Sequence, residues 1–249
     1  MRASRKSHAA KGPQGADGVG FKYLKSVADL AALIGSEARL KILLLLAQAP
    51  RSVEEISRQT GESIANVSQH LKKLRDGGLL QVRRDGVSRF YRLRDERTAL
   101  VLEYLFDIAE ISQPDLMHAP GHGDGASGTG EGTAEPDGAS LARALQSRRA
   151  LILDVRDEVE TLATPVESAV RIPLAELAAR IGELGRSKTY YVLCRGRACD
   201  RAGDGVRILR ENGFRAFRLR EGPAGVRLGR RALDEVEVNH AHRLDEEGD

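Results

Sequence analysis

The chain has 249 residues, of which 41% are hydrophobic, 30% charged and 4% aromatic, with no Trp. This is the composition of a soluble globular protein with aliphatic cores, and nothing approaches the roughly 18 consecutive apolar residues of a membrane span. Two cysteines are too few for a disulfide scaffold, and the opening MRASRKSHAAKGPQGADG is basic without an apolar stretch, so a cytoplasmic protein rather than a secreted one is expected. The net charge of +3 is unevenly spread. Residues 1–111 carry 19 Lys and Arg against 13 Asp and Glu, whereas residues 112–249 carry 20 against 23, so the first part is the one suited to a polyanion.

Residues 1–18 read as a disordered basic arm. From residue 19 to 111 the periodicity is helical. Val27, Leu30, Ala31 and Ile34 share one face of a first helix that Gly35 closes. Ser36 is placed to cap a second helix, with Leu40, Leu43, Leu44 and Ala47 as its apolar stripe. In RSVEEISRQTG, Ser52 and Glu55 have the spacing of a capping box. Gly61 ends that short helix, and Ser63 caps another, IANVSQHLKKLRDGG. Two short helices across a tight turn predict a helix-turn-helix. Ile64, Val67, Leu71 and Leu74 form the inner seam of its second helix, while Asn66, Gln69, His70 and Lys73 face outward beside Ser68 and Lys72. The short polar side chains, Ser63 included, suit base edges, and Lys72 and Lys73 suit phosphates.

LLQVRRDGVSRFYRL follows, alternating about Asp85-Gly86, a two-residue hairpin turn. Val82, Val87, Phe90, Tyr91 and Leu93 pin this ribbon, and Arg83, Arg84, Arg89 and Arg92 project from it. After a helix-turn-helix such a ribbon is a wing that grips the DNA backbone or minor groove; a solvated surface ribbon is the plain alternative.

The run from ALIGSEARLKILLLLAQ through SVEEISRQTGESIANVSQHLKKLRDGGLL to VRRDGVSRFYRL resembles the ArsR/SmtB family of winged helix-turn-helix repressors. The resemblance implies a homodimer whose terminal helix supplies much of the interface. TALVLEYLFDIAEI, with Leu102, Leu105, Phe106 and Ile108, is that helix here. A two-fold dimer sets its recognition helices about one DNA turn, ~34 Å, apart on double-stranded DNA and reads an inverted repeat. Many members of the family sense metals through cysteines on the first helix of the pair. This part of the chain has no cysteine, which excludes thiolate metal sensing within it.

Residues 112–139 are rich in Gly, Pro, Ser and acids and read as a flexible linker. His118 and His122 within it make a poor metal site, and neither a metal nor another cofactor is expected. Residues 140–232 change period. ALILDV, AVRIP, TYYVL and FRAFRL read as strands, and LAELAARIGEL and DRAGDGVRILRENG as helices, an alternation that predicts a parallel α/β sheet. Residues 233–249 read as an acidic tail. The fold class is therefore two domains, a mainly α winged helix-turn-helix and then an α/β domain. No docking surface between them is legible in the sequence.

Both cysteines of the chain lie in YYVLCRGRACDRAG. Cys194 falls at the carboxyl end of a strand, where open α/β sheets bind ligands. A loop turning into a helix there offers successive N–H groups to an anion, so with Arg195, Arg197 and Arg201 nearby, a thiolate at Cys194 is expected to be favoured. Cys199, five residues on, can curl back to meet it, or be a small residue opening a helix. The order ILDVR, AVRIPLAEL, YYVLCRGRAC, GFRAFRLREG resembles a single rhodanese domain over about residues 140–232. The resemblance implies a persulfide-carrying thiol at Cys194 and matches Asp154 and Arg156 to the family's Asp-x-Arg. Three departures bear on turnover: Cys199 stands where the loop usually closes with arginine or a small residue, TPVESA replaces Gly-His-Ile-Pro-Gly-Ala, and GPAGVRLGRR lacks the expected tryptophan.

Three readings follow. The first is a dimeric DNA-binding repressor that senses reactive sulfur or another thiol oxidant at Cys194 and Cys199, with a low-molecular-weight persulfide or thiol donor as partner. The second is a sulfurtransferase localised or regulated by DNA binding. The third is a rhodanese-like domain that serves only as an interaction module.

Overall fold

The computed structural model describes residues 23–113 and 144–228. The basic arm, the acidic tail and almost all of the linker, with His118 and His122, lie outside the described residues.

The N-terminal part contains α1 (Leu24–Ile34), α2 (Glu37–Leu46), β1 (Arg51–Ser52), α3 (Val53–Thr60), α4 (Ile64–Asp76), β2 (Leu80–Asp85), β3 (Ser88–Leu93) and α5 (Arg97–Ser112). The expected caps on the helix pair are formed. The Ser52 hydroxyl accepts from Glu55 N at 3.2 Å while Ser52 N donates to the Glu55 carboxylate at 2.8 Å, and Ser63 accepts from Asn66 N. Gly61 takes a left-handed φ of 76° between α3 and α4, a conformation that a side chain would disfavour. Ser36 stands at the N-terminus of α2 without making a side-chain cap. The core joins Ile42, Leu43, Leu46, Ile56, Val67, Leu71, Leu74, Leu80 and Leu102. Ile64 is exposed rather than part of the inner seam, at the first residue of α4.

The ribbon is wider than the hairpin read from the sequence, since β1 adds a third strand in the order β1-β3-β2. Arg51 pairs with Tyr91, tying the residue before α3 to the wing. Val87 sits at the hairpin tip fully exposed and pins nothing; Tyr91 and Leu80 anchor the ribbon.

The C-terminal part contains β4 (Ala150–Asp154), α6 (Glu158–Ala163), β5 (Ala169–Arg171), α7 (Leu174–Arg180), β6 (Thr189–Leu193), α8 (Arg201–Glu211), β7 (Arg215–Arg218) and α9 (Pro223–Leu228). Its four strands are parallel in the order β5-β4-β6-β7. Side chains alternate across the sheet: Leu153, Tyr190, Val192 and Ala216 enter one core, and Ile152, Tyr191, Leu193 and Phe217 the other. A sheet covered on both faces reads as continuous apolar runs, as ALILDV and TYYVL do.

The two parts are docked. Gln48, Arg51 and the α5 carboxylates meet α6, the loop after β6 and the start of α9. Leu44, packed against the N-terminal core as its place in the stripe implies, also lines this junction with Ala47.

Candidate functional site

The central feature is the loop from β6 to α8. Cys194 follows the last residue of β6, and the chain reverses through Gly196, whose φ of 95° is in the left-handed region. Cys199 N donates to Gly196 O at 3.2 Å, closing the turn. Arg218, at the end of β7, donates to the carbonyls of Arg197 and Cys199, each at 3.0 Å. The result places Cys194 Sγ and Cys199 Sγ 2.7 Å apart as buried free thiols.

The backbone N–H of Arg195 points to both sulfurs and that of Arg201 to Cys199, and the Arg195 guanidinium adds positive charge. The two sulfurs share one proton, so the first ionisation of the pair is favoured and the second opposed. A hydrogen bond from Cys194, with those amides, pulls the Cys199 thiol down to about 6. The same bond and burial push Cys194 up, because its proton is the one shared with Cys199.

The loop arginines do different things. Arg195 reaches Glu160 with Nε at 3.0 Å and Nη2 at 2.8 Å, and Arg51 reaches the same carboxylate at 2.6 Å. Glu160, at 1% exposed, thus joins a residue flanking Cys194 to a residue of the wing sheet. Arg197, expected beside the thiols, turns away to Asp107 at 2.7 Å and to Glu110 on α5, and Arg201 pairs with Asp157.

Asp154 and Arg156 are entirely buried and brace the framework. Arg156 has its five N–H donors engaged by Asp154, Thr164 Oγ1, Thr164 O and Gln48 Oε1, which leaves none for a substrate. Glu103 on α5 accepts from Gly222 N at 3.2 Å and Gly225 N at 3.4 Å, capping α9. Sequence reasoning missed Gln48, Arg51, Glu103, Asp107, Glu110, Glu160 and Arg218. Only the spacing of Glu103, Asp107 and Glu110 on one helical face offered a signal.

On the DNA-facing side, Ser63, Ser68, Gln69, Lys72 and Lys73 are exposed along α4, and Asn66 and His70 are half-buried. Asn66 donates to Glu62 at 2.5 Å. Arg84 and Arg89 are register partners on one face of the wing, while Arg83, opposite Phe90, points to the other face. No group of side chains suited to a metal occurs among the described residues, and no helix among them is long and apolar enough to cross a membrane.

A winged helix-turn-helix joined to a parallel α/β domain with a loop thiol defines a transcriptional regulator with a rhodanese-like domain. The bacterial regulatory protein family arsR matches residues 36–82, and the rhodanese-like domain matches residues 137–226. The HTH-type transcriptional regulator Rv0324 of Mycobacterium tuberculosis is 34% identical over 223 residues, 85% of this chain and 92% of that protein. The chain belongs to this family of ArsR-type regulators with a C-terminal rhodanese-like domain. Over the N-terminal part alone, the HTH-type transcriptional regulator KmtR of Mycobacterium tuberculosis is 37% identical over 91 residues, 36% of this chain and 69% of that one. The homodimeric winged helix-turn-helix domain Mb0332 of Mycobacterium bovis is 33% identical, covering 39% of this chain and 91% of its own, with a TM-score of 0.35.

Proposed function

We propose that this regulator is a cytoplasmic, homodimeric repressor that reads an inverted repeat and senses reactive sulfur through Cys194 and Cys199. Ser63, Asn66, Ser68, Gln69 and His70 meet bases or the backbone beside them, and Lys72, Lys73, Arg83, Arg84 and Arg89 meet phosphates. The winged-helix unit spans residues 19–111 and the sensing unit 140–232. The dimer is supported by apolar side chains left uncovered on two helices: Val101, Leu105, Ile108 and Ile111 on α5, and Val27 and Leu30 on α1.

The observation that carries the sensing role is the 2.7 Å thiol pair inside a loop of inward-pointing amides. With a low-molecular-weight persulfide RSSH, Cys194 attacks the terminal sulfur, passes its proton to Cys199 and releases RS⁻. The Cys199 sulfur then attacks the Cys194 side of the new S–S bond and forms the Cys194–Cys199 disulfide. The terminal sulfur leaves with the proton as H₂S, so the persulfide is the oxidant of both steps. Closing the sulfurs from 2.7 Å to the roughly 2.05 Å of a bond takes less than an ångström.

The proximity of Cys199 favours bridging over sulfur transfer, the second reading. Intact mass of the reduced protein after exposure to a low-molecular-weight persulfide separates the two. Loss of two hydrogens with lowered DNA affinity supports the sensor. A gained sulfur readily passed to added thiol supports a transferase. An unchanged mass refutes both.

A further inference from the structure

Nothing in the proposed chemistry explains why the loop arginines face the DNA-binding part. Arg195 shares the buried Glu160 with Arg51, which is hydrogen-bonded into the wing sheet and directly precedes the cap of α3. Arg197 is held by Asp107 and Glu110, and Glu110 also accepts from Arg220 at 3.1 Å. These carboxylates lie on one face of α5, whose other face carries the uncovered Val101, Leu105 and Ile108. One helix thus has the cysteine loop on one side and the proposed dimer surface on the other.

We propose that the loop arginines carry the state of the cysteine pair to the DNA-binding part along two routes. Arg195 acts through Glu160 on Arg51 and the wing sheet, and Arg197 acts through Asp107 and Glu110 on α5. The inference rests on the reading of Cys194 and Cys199 as a sulfur-responsive pair. The reduced pair holds a thiolate next to Arg195; the disulfide is neutral. On bridging, Arg195 loses that counter-charge and draws harder on Glu160, and Arg51 gives up part of its ion pair with that carboxylate. The carbonyls of Arg197 and Cys199 are tied together through Arg218, so movement of Cys199 towards Cys194 also pulls on Arg197. Glu160 is a positioning residue in this scheme, since it acts on the sulfurs only through Arg195.

The test is hydrogen exchange by mass spectrometry on the full chain, reduced and after treatment with a low-molecular-weight persulfide. Affinity is followed in parallel for a duplex selected from a random pool by the reduced protein. In the native sequence, bridging raises exchange severalfold in residues 51–60 and 97–112 and lowers DNA affinity. In Glu160→Gln the response of 51–60 is lost while that of 97–112 persists; in Asp107→Asn/Glu110→Gln the pattern reverses. Glu160→Gln also moves the first thiol titration to lower pH, by freeing Arg195 for the sulfurs, and Glu160→Asp moves it back. A DNA response that survives in all variants with unchanged exchange overturns the coupling and leaves the sensor reading intact. Bridging with no change in DNA affinity overturns the sensor reading, and failure to bridge overturns both.

Discussion

Replacing Glu160 by alanine tests whether the two halves are docked in solution. The Glu160 side chain is 1% exposed between Arg51 at 8% and Arg195 at 26%. Its loss leaves two guanidinium groups facing each other where water has little access. Breaking a buried ion pair in this way costs about 3–5 kcal/mol, because the surviving charge keeps its desolvation penalty. At about 2–4 °C per kcal/mol for a chain of this size, the melting temperature falls by roughly 6–20 °C. The assay is calorimetric unfolding of the reduced protein at neutral pH, run as a cycle of Glu160→Ala, Arg51→Ala and the double variant. Partners in contact give a coupling energy above about 0.5 kcal/mol, with the double variant less damaged than the singles predict. A loss below about 1 kcal/mol with additive singles is the behaviour of a solvent-exposed pair. That result would refute the docked arrangement.

Five further outcomes follow from the structure. Thiolate absorbance develops near pH 6 in the native protein, and Cys199→Ser removes that step. Because the Cys199 thiol is depressed in the folded state, its contribution to stability is full above the ordinary thiol range and is lost as pH falls through about 6; urea midpoints across that window show the slope, and Cys199→Ser flattens it. Arg84→Ala/Arg89→Ala weakens binding to all duplexes alike and lowers the salt slope by about 2, one phosphate contact each, measured by titration at several salt concentrations. Gly205→Ala places a methyl 2.9 Å from Val192 Cγ1 under α8, so it destabilises by about 1–3 kcal/mol through overpacking in a denaturant melt. Leu105→Asp/Ile108→Asp leaves a folded monomer in sedimentation, since both side chains are exposed in the single chain.

The elements legible in the sequence were those set by local rules. The Ser52–Glu55 box, the Ser63 cap and the Gly61 turn are decided within a few residues, and they fix α3 and α4 before any tertiary contact forms. The cysteine loop was legible only in part: a strand end, a glycine able to turn and a helix start allow Cys199 either to return towards Cys194 or to stand as a small residue opening α8, and the sulfurs meet. The two-residue β1 carries no periodicity and exists only because β3 supplies its partners. Arg51 and Glu160 each look like ordinary surface charges in the chain, and 109 residues separate them. The stripe of Leu40, Leu43, Leu44 and Ala47 gave the right helix with an imperfect core face, because α2 packs against its own domain and the second one on different sides.

The departures from the rhodanese pattern near the C-terminus have a positive explanation in that second surface. GPAGVRLGRR stands where a tryptophan was expected, and its Gly222 and Gly225 are the residues whose amides receive Glu103. A Cβ on Gly222 would come within 2.7 Å of the Glu103 carboxylate, and one on Gly225 closer still, so larger residues there would displace that carboxylate from the α9 amides. Gly196 is constrained in the same manner: its Cβ would meet the Gly222 backbone at 3.4 Å, and its φ already favours glycine. The glycines that bring α9 close to the cysteine loop are therefore the same ones that admit a carboxylate of the DNA-binding part. A rhodanese-like domain that had simply lost its chemistry would have no reason to make that room. The substitutions fit a domain whose thiol loop is held against α5.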